Sequence, residues 1–183
     1  KQALVFDQGD NRDQLHFCDQ VALALVLRHK GTRPGRCIFH KRSFTRDARI
    51  VFLDDSIVRG TQLKDNVVKL RECGVKEVHI RIACPPLIYP CCFLNFSTSR
   101  STFDLFARRV IRDLEGTSEL TDEILKPYSD PDSEKYKEMV RVMCQHLQLD
   151  SLQFQRLDDL VKAIGLPKEQ LCTHCWDNSS YME

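Results

Sequence analysis

Residues 49 to 83 narrow the fold more than any other part of the chain. RIVFL (49 to 53) is a short apolar run bounded by turn signals, as expected of a buried strand. QLKDNVVKLRECG (62 to 74) follows, with Leu63, Val67, Leu70 and Cys73 on one helical face and Gly74 to close it. KEVHIRIA (76 to 83) is the next apolar run. Strand, helix and strand with short links make a βαβ unit, so the two strands are expected to be parallel. The expected fold class is α/β, a parallel sheet with helices.

Composition permits such a core and excludes several alternatives. The chain has 183 residues, 42% of them hydrophobic, with seven glycines and seven prolines. That suits one globular domain and rules out a fibrous or low-complexity chain. A net charge of +1 exerts no general pull on nucleic acid or membrane, so neither is an expected partner. The longest apolar run, VALALVL at 21 to 27, is far short of the roughly 20 residues that cross a bilayer. No secretory signal opens the sequence. Its nine cysteines are therefore read as reduced thiols of a cytoplasmic protein, most of them small core residues.

Other elements follow from periodicity and caps. ALVF (3 to 6) and RCIFH (36 to 40) are expected strands, and residues 13 to 31 an expected helix. CPPLIYPCC, beginning at Cys84, is a loop. Residues 101 to 116 read as a helix opened by a capping box from Ser101 to Asp104. Residues 133 to 149 read as a long helix, SLQFQ (151 to 155) as a strand, and LDDLVKAIG (157 to 165) as a short helix ended by glycine. The chain is expected to be one domain: an α/β core over 1 to 100 and a mainly helical extension over 101 to 183.

The chemistry is concentrated in IVFLDDSIVRGTQ (50 to 62). Asp54 and Asp55 end the first strand, where open α/β sheets bind their ligands. Ser56 to Thr61 lead into a helix N-terminus, whose free N–H groups and positive dipole end suit a phosphate. Gly60 lets the backbone approach closely, and Ser56 and Thr61 add hydroxyls. One half of the turn accepts hydrogen bonds or holds a cation, and the other donates to an anion. A sugar phosphate needs both. The competing reading is a pair of capping acids before an ordinary turn. Neither G-x-x-x-x-G-K-[ST] nor G-x-G-x-x-G occurs.

RIVFLDDSIVRGTQ closely resembles the phosphoribosyl pyrophosphate motif of type I phosphoribosyltransferases, and within them the amidophosphoribosyltransferase family. The likeness continues through LRECGVKEVHIRIACPPLIYPC and, more loosely, through DLFARRVIRDLEG and LCTHCW, so that it covers most of 49 to 183. It implies a Rossmann-like type I phosphoribosyltransferase sheet. Asp54 and Asp55 would engage the ribose hydroxyls, and Ser56, Ile57, Val58, Arg59, Gly60 and Thr61 would wrap the 5-phosphate. Magnesium would lie beside Asp54 and Asp55 on the pyrophosphate and ribose oxygens. The implied reaction forms phosphoribosylamine from phosphoribosyl pyrophosphate and ammonia in purine biosynthesis. It requires positioning and charge stabilisation rather than a protein nucleophile, so no catalytic residue is named.

The resemblance also implies a homo-oligomer and a glutaminase domain as the source of ammonia. Lys1-Gln2-Ala3-Leu4 is not the cysteine start of such a domain, so glutaminase activity is not expected of these residues. RPGRCIF (33 to 39) and HKRSF (40 to 44) are two candidates for the family's basic lid. Two other function classes stay open. One is a non-catalytic phosphoribosyl-binding or regulatory module, and the other an interaction domain held by zinc or a cluster.

The C-x-x-C of Cys172 and Cys175 admits zinc, redox and accidental readings. Some members of the resembled family hold a [4Fe–4S] cluster, and Cys91, Cys172 and Cys175 match three of its four thiolates. Cys18, Cys37 and Cys92 are candidates for the fourth, His174 is a candidate zinc ligand, and a metal-free thiol cluster is the alternative. In every version the three matched thiols should lie together. His16, His29, His40, His79 and His146 read as structural or surface residues.

Overall fold

The computed structural model describes residues 47 to 91 and 102 to 179. The expected elements at 3 to 6, 13 to 31 and 36 to 40, and both lid candidates, lie outside the described residues.

The βαβ unit is present. Strand β1 is Arg49–Asp54, helix α1 is Thr61–Glu72 and strand β2 is Glu77–Ile82. The strands are parallel, in register from Arg49 opposite Glu77 to Asp54 opposite Ile82. Strand β3, Ser151–Phe154, runs parallel to β2 on its other side, so β2 is central in the described sheet. The mainly helical second half thus also supplies a strand. Ile50, Val78, Ile80, Ile82 and Leu152 share one sheet face and are buried, with Val67 and Leu70 of α1 packed in the same core. Each such side chain contributes about 1.5–3 kcal/mol of burial.

Helices α2 (Phe106–Glu115), α3 (Asp122–Ser129), α4 (Glu134–His146) and α5 (Leu157–Ile164) follow, with one last turn, α6, at His174–Asp177. No described helix is long and apolar enough to cross a membrane.

Three details differ from the sequence expectations. Helix α2 starts at Phe106, after a 3-10 turn over Thr102–Asp104, and no side chain caps it. A tertiary contact sets that start: the Phe106 N–H donates to the Val58 carbonyl at 2.8 Å, so the helix begins where it meets the turn after β1. Helix α4 ends at His146 because Gln148 takes a left-handed φ of 57°. Its N-terminus is capped, with Ser133 Oγ accepting the Tyr136 N–H at 3.0 Å. Helix α3 was not expected at all. Pro127 lies inside it and normally argues against a helix, but the helix ends two residues later and little of its ladder is lost. Buried Leu125 and Tyr128 hold it to the core.

Candidate functional site

Asp54, the last residue of β1, is half-buried, and Asp55 is exposed. Each carboxylate is steadied by the next peptide: Asp54 Oδ1 accepts the Asp55 N–H at 3.0 Å, and Asp55 Oδ1 accepts the Ser56 N–H at 2.9 Å. Ile57 then turns inward, 5% exposed, and pins the middle of the turn to the core. Gly60 caps α1 with φ of 74°, and Thr61 is the helix's exposed first residue. A Cβ on Gly60 would lie 3.2 Å from the Phe106 ring, so both conformation and space call for glycine there.

The polar groups of this turn are sorted by direction. The carbonyls of Asp54, Val58 and Gly60 accept from the N–H groups of Ala83, Phe106 and Lys64, and the Arg59 carbonyl accepts from Arg109 Nη2 at 2.6 Å. Among the described residues, none of the five N–H groups from Ile57 to Thr61 has a protein acceptor. Unpaired donors ahead of a helix dipole form an anion site. The first turn of α1 carries no acidic residue to cancel it. A pocket of about 390 Å³ opens beside the turn, lined by Arg59, Thr61, Lys64, Phe106, Arg109 and His146 among others. Arg59 also pairs with Asp104 at 3.7 Å on the surface.

The end of β2 lies next to the acid pair. Burial, with the Asp55 and Asp54 carboxylates nearby, pushes the Cys84 thiol up to about 12, so it stays neutral. Among the described residues, the buried Trp176 indole nitrogen has no oxygen or nitrogen acceptor, and the Cys84 thiol is its polar neighbour. The segment from Pro85 to Tyr89 is buried, and the chain's last turn docks on it. The Cys175 carbonyl accepts the N–H groups of Ile88 and Tyr89 at 2.9 and 3.0 Å. Burial, then contact with Cys91 and the nearby Cys172, pushes the Cys175 thiol up to about 12. The Cys175 thiol thus lies against that of Cys91, with Cys172 in its vicinity. Cys91 is buried and Cys172 exposed. Among the described residues, no group of three or more His, Cys, Asp or Glu side chains is arranged to hold a metal ion.

No protein-family model matches the chain. Known proteins do. It is 30% identical over 136 residues to the amidophosphoribosyltransferase of Methanothermobacter thermautotrophicus, covering 74% of this chain and 22% of that enzyme. Over 43 residues it is 63% identical to the Pyrococcus horikoshii amidophosphoribosyltransferase, covering 24% of this chain and 10% of the enzyme. The chain is homologous to amidophosphoribosyltransferases. A solved structure of the Bacillus subtilis glutamine phosphoribosylpyrophosphate amidotransferase with ADP and GMP is 28% identical, with a TM-score of 0.49 over 75% of this chain and 25% of that one. The chain spans between 10% and 22% of the length of the first relatives it matches.

The structure brings Asp54 to Thr61 into one turn, and Cys175 of the last described turn against Cys91 of the segment that follows β2. His79 is structural, as expected, sharing a 2.8 Å hydrogen bond with Ser151 Oγ. His146 is exposed and lines the pocket beside the turn. Sequence reasoning missed Phe106 and Arg109 of this amidophosphoribosyltransferase homologue. Their partners are backbone groups, which every residue carries, so no pattern marks them.

Proposed function

We propose that residues 54 to 61 bind the ribose phosphate portion of phosphoribosyl pyrophosphate, and that the chain is the phosphoribosyltransferase part of an amidophosphoribosyltransferase. The observation that carries this is the sorting of the turn: the carbonyls of Asp54, Val58, Arg59 and Gly60 are paired, the five N–H groups from Ile57 to Thr61 have no acceptor among the described residues, and two carboxylates stand at its other end. The homologues' name supports the same chemistry.

In this reading Asp54 and Asp55 accept the ribose hydroxyls, while the N–H groups of Ile57 to Thr61 and the Thr61 hydroxyl donate to the 5-phosphate. Held at both ends, the sugar presents C1 in a fixed direction. The C1–O bond to pyrophosphate breaks as the C1–N bond to ammonia forms. The carboxylates stabilise the positive charge that develops on the ring. Ammonia, free or from a glutaminase domain, is the nucleophile, and the working form is a cytoplasmic homo-oligomer. These last points rest on the family resemblance.

Two adjacent carboxylates, with no further metal-ligating group beside them among the described residues, fit a magnesium ion carried largely by ligand oxygens. When bound there, magnesium neutralises the leaving group. An iron–sulfur or zinc centre at Cys91, Cys172 and Cys175 does not fit the described residues by themselves, since no three of their His, Cys, Asp or Glu side chains are placed to share a metal ion. No role is derived for either.

Calorimetry with phosphoribosyl pyrophosphate and magnesium tests the site. Binding should vanish in Asp54→Asn/Asp55→Asn with the melting temperature preserved. Unchanged affinity contradicts the assignment. Formation of phosphoribosylamine with added ammonia supports turnover, and binding without product supports the non-catalytic module instead.

A further inference from the structure

We infer that Arg109 is a positioning residue that locks the Arg59–Gly60 peptide with its N–H toward the bound phosphate. The inference rests on the phosphate reading of the turn and adds a residue that the reading does not need.

Every peptide in an anion cradle carries a liability. Its N–H attracts the anion, and rotating the peptide plane by half a turn puts a carbonyl oxygen in its place. Such a rotation changes ψ of one residue and φ of the next. At most positions the Cβ of the second residue resists it, because positive and negative φ differ greatly in cost. The second residue here is Gly60, which takes either sign readily. The glycine that allows the left-handed φ of 74° thus leaves the Arg59–Gly60 peptide free of that intrinsic lock.

The structure supplies an external one. Arg109 Nη2 donates to the Arg59 carbonyl at 2.6 Å, a charge-assisted bond that holds this oxygen on the α2 side of the turn. The guanidinium is itself fixed, with Nη1 donating to the carbonyls of Phe103 and Asp104 at 3.1 and 3.0 Å. It also lies 5.4 Å over the Phe106 ring. That ring packs against Gly60, and the Phe106 N–H holds the preceding carbonyl, that of Val58. Among the described residues, of the groups that restrain the carbonyls of Val58, Arg59 and Gly60, only Arg109 acts through its side chain. Arg112, one turn along the same helix, pairs with its neighbour Asp113 instead and is a natural control.

The test uses three variants, Arg109→Met, Arg109→Lys and Arg112→Met, and two readouts. Calorimetry gives the affinity for ribose 5-phosphate, and amide NMR of the ligand-free protein reports the Gly60 and Thr61 N–H groups. Arg109→Met should lower the affinity about tenfold, the effect of one charge-assisted hydrogen bond. It should also broaden or double the Gly60 and Thr61 resonances and leave those of Val78 and Leu152 in the sheet unchanged. Arg109→Lys restores a charged donor and should recover most of both. Arg112→Met should change neither. A sharp, unshifted Gly60 resonance in Arg109→Met overturns the inference, as does an affinity loss that Arg112→Met reproduces. Failure of the unaltered protein to bind ribose 5-phosphate strikes the function reading alone, because the Gly60 resonance is read without ligand. If Arg109→Met does not fold, the lysine variant's Gly60 resonance decides: a single sharp line supports the lock and doubling counts against it.

Discussion

The two ends of the described sheet are built from similar parts and used in opposite ways. At the amino end of β2, Asp150 Oδ2 accepts the Val78 N–H at 2.7 Å and pairs with Arg71 at 2.6 Å. Arg71 also donates to the carbonyls of Lys76 and Gln148. One carboxylate and one guanidinium thus join α1, β2 and the entry to β3, and each answers the other's charge. At the carboxyl end two adjacent carboxylates lie beside five N–H groups that, among the described residues, have no protein acceptor. Paired charges join the elements at one end, while open N–H donors at the other are where the proposed ligand chemistry would lie, so stability and the proposed binding stay apart.

The sharpest way to break that contrast is to exchange the two kinds of damage. Asp54→Asn/Asp55→Asn should abolish phosphoribosyl pyrophosphate binding in calorimetry and leave the melting curve in place. Asp150→Ala should do the reverse. It strands the Val78 N–H and the Arg71 guanidinium and should cost about 2–3 kcal/mol in denaturant unfolding, with binding retained. If the acid-pair variant melts early, or the Asp150 variant loses binding at temperatures where it is folded, the ends are not separable as described.

The pH dependence should follow the same division. Burial alone would raise the Asp150 pKa, but the Val78 N–H and Arg71 outweigh it and hold the group below its ordinary value of 3.8. A depressed carboxylate contributes stability above its unfolded pKa and loses it as pH falls through the folded value. The stability difference between the unaltered protein and Asp150→Asn should therefore shrink on acidification below 3.8. A constant difference would show that the carboxylate's charge is not what closes that end.

Smaller effects sharpen the picture on the ligand side. Thr61→Val removes one hydroxyl donor and should weaken ribose 5-phosphate binding by about 1 kcal/mol, read by calorimetry beside a melting curve. At the neighbouring strand end, Cys172 is exposed while Cys175 and Cys84 are held near 12. At pH 8 their thiolate fractions fall about a thousandfold below that of an ordinary thiol. Iodoacetamide should label Cys172 first and leave Cys175 and Cys84 slow. Equal labelling would show that the tail is not docked on the Ile88–Tyr89 backbone.

Much of this was legible in the sequence where the signal is local. Alternation and length gave β1, α1 and β2, and the same reasoning placed β3 and helix α4. The acid pair, Gly60 and Thr61 were legible because turn chemistry restricts which residues stand there. Helix α3 was hidden by Pro127, whose local preference is overridden by burial of Leu125 and Tyr128. The start of α2 was misread because Phe106 gives its N–H to Val58, a contact between segments far apart in the chain. Arg109 was indistinguishable from the other arginines of RRVIR until its neighbours were known.

The central claim, that the turn after β1 binds phosphate through its backbone, has a direct measurement in amide NMR during titration with ribose 5-phosphate. The account predicts the largest shifts at the N–H groups of Ile57 to Thr61, with Val78 and the residues around Asp150 unmoved. Shifts centred elsewhere, or none at saturating ligand, would contradict it.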